Sequence, residues 1–218
     1  MATASVRSVS KLYGRFAALR KVSFTFEPRQ CYVLLGENGA GKSTLLRILA
    51  GLLAPTVGSV TVLDQLPKDA RHKIGYMSHA PMLYDELTAK ENLAYFAGLY
   101  AGNPTLTPEE ALRSVNLDPE LMRPVAQYSQ GMRQRTSLAR VLISKPRLLL
   151  LDEPFSNMDA ASAQQMLSLI GRMRDQGCTV VLTTHQRELA EPIADAMLTM
   201  LAGSLVSSVP VNHSELAR

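Results

Sequence analysis

The stretch GENGAGKS, residues 36–43, sets three glycines, a lysine and a hydroxyl at the spacing G-x-x-x-x-G-K-[ST]. Glycine lets a backbone wrap closely around a phosphate with its N–H groups pointing inward. The backbone of Gly36, Glu37, Asn38, Gly39, Ala40 and Gly41 is expected to supply those amides. Lys42 is expected to reach the β- and γ-phosphates of a nucleotide, Ser43 to ligate Mg2+, and Thr44 to support the α-phosphate. A phosphate loop alone names no reaction, because metal and water must also be held. LLLLDEP, residues 148–154, offers two carboxylates for that work. Asp152 stands where an apolar strand ends and is suited to a metal, and Glu153 follows it. A carboxylate in that position can polarise a water for attack on the γ-phosphate. Transfer of phosphoryl to water is therefore favoured over transfer to a substrate hydroxyl.

The elements around these residues must place them. CYVLLG, a continuous apolar run, leads into the loop, and LLRILAGLL leaves it with helical spacing. A strand before the loop and a helix after it are what the phosphate chemistry needs, since the helix adds its positive end. VSFTFEP alternates, with Val22, Phe24 and Phe26 on one face, as in a half-buried strand. GSVTVLD, KIGYMSH, RLLLLDEP and CTVVLTTH read as further strands, and MLTMLAGSLVSS reads as two short strands around Ala202 and Gly203. AASAQQMLSLIGRMRDQG reads as a helix with a glycine stop. Between residues 87 and 145 the character turns helical, over LTAKENLAYFAGLY, TPEEALRSVNL and GMRQRTSLARVLIS. Thr88 with Glu91, and Thr107 with Glu110, have capping-box spacing. Apolar strands separated by helices predict an α/β fold with a mostly parallel sheet covered on both faces. The reading is one domain over residues 1–218, with residues 1–86 and 146–218 as the α/β core and 87–145 as an inserted helical lobe.

Composition is that of an ordinary globular chain, with 46% hydrophobic and 19% charged residues. The net charge of +4 comes without a run of like charges, so a nucleic-acid partner is not expected. Cys31 and Cys178 both sit by apolar runs and read as free thiols in a reducing compartment. The beginning of the chain has no apolar leader core, and no apolar stretch is long enough to span a membrane.

Taken together, the motifs resemble the ATP-binding cassette (ABC) ATPases. YSQGMRQR, residues 128–135, resembles the family's signature stretch and precedes the helix that leads to LLLLDEP. SNMD resembles the D-loop with Asp159 as its acid, LTTHQ resembles the switch region with His185, and KLYGRFAAL places Tyr13 where the family stacks an aromatic on adenine. The resemblance implies a RecA-like P-loop NTPase with an N-terminal antiparallel β part. It implies ATP and Mg2+ as cofactors. It also implies two subunits closing head to tail, so that Ser129 and Gly131 of one bind the γ-phosphate held by the other. Asp159 would act across that interface, and His185 would hold the γ-phosphate and water in line with Glu153 and Lys42. The expected partners are a second ATP-binding subunit, in a homodimer, and integral membrane subunits. The expected location is the cytoplasmic face of the inner membrane, as a peripheral protein.

Three positions depart from the family pattern. Gln130 replaces the first signature glycine, and Met132 ends the motif where glutamine is usual. His79, where the strand of IGYMSHAP stops, falls at the family's Q-loop glutamine. Histidine keeps an acceptor for a metal-bound water and adds a charge that titrates near neutrality. It is read as a residue coupling the metal site to the helical lobe, or else as a loop residue pointing elsewhere; a ligand to a transported metal complex fits least, because the ATPase should lie away from any transport path. His79, YSQGMRQR and LTTHQ together resemble the ATP-binding subunit of the cytochrome c maturation (haem exporter) complex. Another ABC exporter, for drugs or of several subunits, is the alternative. ABC proteins of translation or DNA maintenance fit less well, because one cassette is present and no sustained heptads interrupt it. A small P-loop kinase fits less well because of YSQGMRQR and Glu153.

Overall fold

The computed structural model describes residues 2–100 and 105–212. It opens with two long antiparallel strands, β1 (Ala4–Tyr13) and β2 (Phe16–Phe26), joined by a tight turn at Gly14. Strand β3 (Cys31–Leu35) delivers the phosphate loop, and helix α1 (Lys42–Leu49) leaves it. Strand β4 (Val57–Val62) returns to β1, giving a three-stranded antiparallel sheet in the order β2-β1-β4. Strand β5 (Ile74–Met77) comes before three helices, α2 (Ala89–Gly98), α3 (Pro108–Ser114) and α4 (Gln130–Leu142). Strand β6 (Leu148–Asp152), helix α5 (Ala160–Asp175), strand β7 (Thr179–Thr183), the single turn α6 (Arg187–Ala190) and strands β8 (Ala196–Leu201) and β9 (Ser204–Pro210) follow.

Six strands form the main sheet in the order β5-β6-β7-β3-β8-β9, with every pairing parallel except β8–β9. The last two join through Ala202 and Gly203, both at positive φ, which is the two-residue turn whose twist matches an antiparallel pair. The central strands are wholly buried because their side chains divide between two cores. Leu149 and Leu151 of β6 face the helices α2 to α5, whereas Leu148 and Leu150 face α1 and the antiparallel sheet. Val180 with Leu182, and Val181, divide in the same way on β7. Each fully buried leucine contributes about 1.5–3 kcal/mol, which is why these strands read as unbroken apolar runs. This is the expected RecA-like P-loop NTPase arrangement, with a mixed, mostly parallel sheet, antiparallel N-terminal strands and inserted helices.

The inserted helices are held at their starts by the two capping boxes. The Thr88 amide donates to Glu91 Oε2 at 2.8 Å and the Glu91 amide donates back to Thr88 Oγ1 at 3.2 Å. Thr107 and Glu110 repeat the exchange at 2.8 and 3.1 Å. Such a cap contributes about 1 kcal/mol. These helices do not have a core of their own. Leu93 of α2 and Leu112 of α3 lie in the same cluster as Leu138 of α4 and Leu151 of the sheet. Helix α4 runs from the inserted helices onto β5 and α5, so it links the two regions. Among the described residues, no helix is long and apolar enough to cross a membrane.

Strand β1 is absent from the periodicity reading, and the reason is local. Ser8 adopts φ 48° and the pairing with β2 shifts register between Val6 and Val9. The bulge lets Val6 and Val9, three residues apart, both reach the core, which breaks the two-residue alternation of a strand.

Candidate active site

The phosphate loop is shaped by what cannot be there. A Cβ on Gly36 would lie 2.5 Å from the Met200 carbonyl oxygen, and one on Gly41 would lie 2.6 Å from that of Ala18. Gly41 also takes φ 101° to cap α1, a conformation other residues adopt only with strain. Inside the loop Lys42 is buried, and its Nζ donates to the carbonyl oxygens of Gly36 (2.6 Å) and Glu37 (3.2 Å). This is a buried ammonium held by neutral carbonyls beside the N-terminus of α1. Such a cradle fits an anion, and the phosphates of a nucleotide supply one.

Below the loop the acids are tied together. Ser43 at the start of α1 donates its hydroxyl to Asp152 Oδ1 at 3.0 Å. Thr183, at the end of β7, donates to the same oxygen at 2.8 Å. The Thr183 hydroxyl also accepts the Glu153 amide at 2.9 Å. Glu153 sits at φ 52°, a left-handed conformation that costs a non-glycine residue energy and that the Thr183 bond helps to hold. Its Oε2 lies 3.2 Å from His185 Nδ1, so the imidazole presents Nε2 on its other side. Glu153 is mostly sheltered, with its side chain 18% exposed, whereas His185 is 65% exposed. A buried carboxylate and a hydroxyl already sharing a hydrogen bond are the hard oxygen donors that suit Mg2+.

A cleft of about 240 Å³ runs along the loop, lined by residues from Glu37 to Thr44, by Asp152 and Glu153, and by Tyr13, Phe16 and Ala18. Tyr13 is half exposed, with Lys11 Nζ 5.4 Å from its ring centre. Phe16 is 63% exposed and pairs with Tyr13 across the β1–β2 turn. The two rings flank the cleft, and both are exposed.

The remaining predicted residues lie elsewhere on the monomer. Ser129 is exposed and caps α4, accepting the Met132 amide at 3.3 Å. Gly131 is buried against α5, where an added Cβ would meet Ser162 Oγ at 2.7 Å. Asp159 caps α5 by accepting the Ser162 amide at 2.9 Å and the Ser162 hydroxyl at 2.7 Å, and these bonds hold its carboxyl below the usual range. His79 is exposed in the bend after β5 and has no hydrogen bond or ion pair among the described residues. Its loop is anchored, since Ser137 of α4 donates to the Pro81 carbonyl at 3.0 Å.

Thr183 and Phe16 are the residues the sequence reading missed. For Phe16 the signal was the short YGRF turn, which places it opposite Tyr13. For Thr183 there was none, because only the register of β6 against β7 sets it opposite Asp152.

The family model described as ABC transporter matches residues 19–156, which takes in the phosphate loop, YSQGMRQR and the Asp152–Glu153 pair. The chain is 36% identical over 98% of its length to a fluoroquinolones export ATP-binding protein of Mycobacterium tuberculosis, covering 72% of that protein. It is 38% identical over 91% of its length to the Nod factor export ATP-binding protein I of Rhizobium johnstonii, covering 66% of it. The fold superposes on a dimeric bacterial ABC transporter cassette with a TM-score of 0.85 and 25% identity, over 96% of this chain and 99% of the other. The chain therefore belongs to the ABC transporter family as an ATP-binding subunit, an ATP hydrolase that works with ATP and Mg2+.

Proposed function

We propose that this chain energises an ABC exporter by closing as a dimer on ATP and driving separate integral membrane subunits from the inner face of the membrane. The supporting observation is the continuous hydrogen-bonded line Ser43–Asp152–Thr183–Glu153–His185 beneath the phosphate loop. In this reading residues 1–218 are one ATPase domain with a helical lobe at 87–145. Tyr13 stacks on adenine, the loop amides and Lys42 hold the phosphates, and Ser43 and Asp152 hold Mg2+, which supplies charge neutralisation. Glu153 accepts the proton of the attacking water, and His185 hydrogen-bonds the γ-phosphate and holds that water in line. Ser129 and Gly131 of a second copy complete the site, with Asp159 at the junction. The dimeric cassette of the same fold supports the pairing.

Export is the direction that the curated relatives favour, since two of them are named for export of fluoroquinolones and of Nod factor. The haem exporter reading is the narrower second one, and it rests on His79, YSQGMRQR and LTTHQ. His79 would couple the site to the membrane subunits through its loop, which Ser137 ties to the signature helix α4.

The test is the Glu153→Gln variant. It should bind ATP, form an ATP-dependent dimer on size exclusion, and lose about 10²–10⁴-fold in phosphate release. Undiminished turnover would remove Glu153 from the role. Purification of this variant from solubilised membranes reads the cargo: small membrane subunits with haem absorbance favour cytochrome c maturation, and the same subunits without haem favour another exporter. His79→Gln should keep ATP binding and alter only partner-stimulated turnover.

A further inference from the structure

At the opposite end of the sheet from the phosphate loop, a cavity of about 610 Å³ opens between α3, the end of α4, the end of α5 and the segments entering β6 and β7. It has more than twice the volume of the phosphate cleft and falls within the size range of small-molecule sites. Four cations line it, Arg113 of α3, Lys145 and Arg147 before β6, and Arg172 of α5. None of the four is in an ion pair among the described residues, although Lys90, Arg133, Arg174 and Arg187 all are. The one acid on the wall, Glu110, caps α3 and also feels the charges of Lys145 and Arg113, so one carboxylate faces four cations. Arg172 reaches only Asn116 Oδ1, at 3.5 Å. Arg113 and Arg172 lie in the last turns of their helices and Lys145 follows the last turn of α4, where the helix dipole welcomes a cation, but Arg147 has no such reason to converge here. Leu142, Pro146 and Met173 give the wall an apolar part, beside the polar Ser114, Asn116 and Gln176.

We propose that this cavity binds a small amphipathic anion, with a carboxylate or phosphate-ester head among the four cations and an apolar body against Leu142 and Met173. A bare inorganic anion would leave the apolar wall wet, and an uncharged hydrocarbon would leave four cations with only the Glu110 carboxylate to offset them. A ligand with both parts satisfies both walls. Because the walls come from α3 on one side and α5 on the other, it would also tie the inserted helices to the sheet. The proposal is independent of cargo and of the export reading, and it is read without nucleotide.

Octanoate is the probe, titrated calorimetrically into the full chain beside 1-octanol and inorganic phosphate. The expected result is one octanoate site per chain, weakened by added salt, with 1-octanol and phosphate each weaker by about tenfold or more. Arg113→Gln/Arg147→Gln and Lys145→Gln/Arg172→Gln should each lower octanoate affinity by about tenfold or more while basal ATP hydrolysis is unchanged, which also reports that both variants fold. Failure of millimolar octanoate to bind, equal binding by folded variants, equal binding of 1-octanol or phosphate, or displacement by Mg-ATP would each overturn the proposal.

Discussion

Asp152 and Thr183 stand opposite each other across the parallel pair β6–β7, and the threonine hydroxyl donates to Asp152 Oδ1 at 2.8 Å. The same oxygen of Thr183 accepts the amide of Glu153, so one hydroxyl fixes Asp152 and Glu153 together. Thr183→Val keeps the shape and removes both bonds. It should destabilise the fold by about 1–3 kcal/mol, because a buried amide is left unpaired, and it should lower phosphate release. Thr183→Ser keeps the hydroxyl and should restore most of the activity. Denaturant melts with ATPase assays on the pair decide the matter, and a fully active Val variant would refute the role.

Gly131 has a structural duty besides any role toward a second subunit. A Cβ there would press on Ser162 at 2.7 and 3.0 Å, where α4 meets α5. Gly131→Ala should therefore destabilise the isolated monomer by about 1–3 kcal/mol. A thermal melt without ATP that matches the wild type would show that α5 gives way without cost.

The capping acids predict how acid unfolds the inserted helices. Glu91 and Glu110 are both held below the ordinary value of 4.5, each first by the threonine amide it caps. A folded-state pKa below the unfolded one stabilises fully above 4.5, and the contribution is lost as pH falls through the lowered folded value. Wild type should melt higher than Glu91→Gln or Glu110→Gln near neutrality, and the gap should narrow in acid. A gap independent of pH would mean that the charged form plays no part.

The two thiols should be slow to react. Burial pushes both Cys31 and Cys178 up to about 12, and the Asp195 carboxylate adds to the shift at Cys31. Little thiolate is then present at pH 8. A disulfide reagent should label the native protein slowly and both sites quickly after denaturation. Rapid labelling of Cys31 in the native protein would contradict its burial.

The fold was legible wherever one rule of periodicity held along an element. The leucines of β6 announced a strand covered on both faces, and the Thr–Glu spacings announced two helix starts to the residue. Strand β1 escaped because Ser8 inserts an extra residue between Val6 and Val9. In the site, the loop and its two acids were legible because each motif is contiguous. Thr183 was not, since its meaning depends on which strand lies beside β7. The packing duty of Gly131 was not legible either, because its contact with Ser162 needs α5 to be in place.

The order of strands in the main sheet bears on how the protein is made. Strand β3, which presents the phosphate loop, is flanked by β7 and β8, and both belong to the last part of the chain. A ribosome therefore releases the loop long before its neighbours exist. Until they arrive, β3 has no partner in its sheet, Glu153 has no Thr183 to hold it, and Met200 is missing from behind Gly36. A half-made chain is spared from spending ATP, and a chain truncated before β7 should be recognised by the cell as unfolded and not persist as a defective pump.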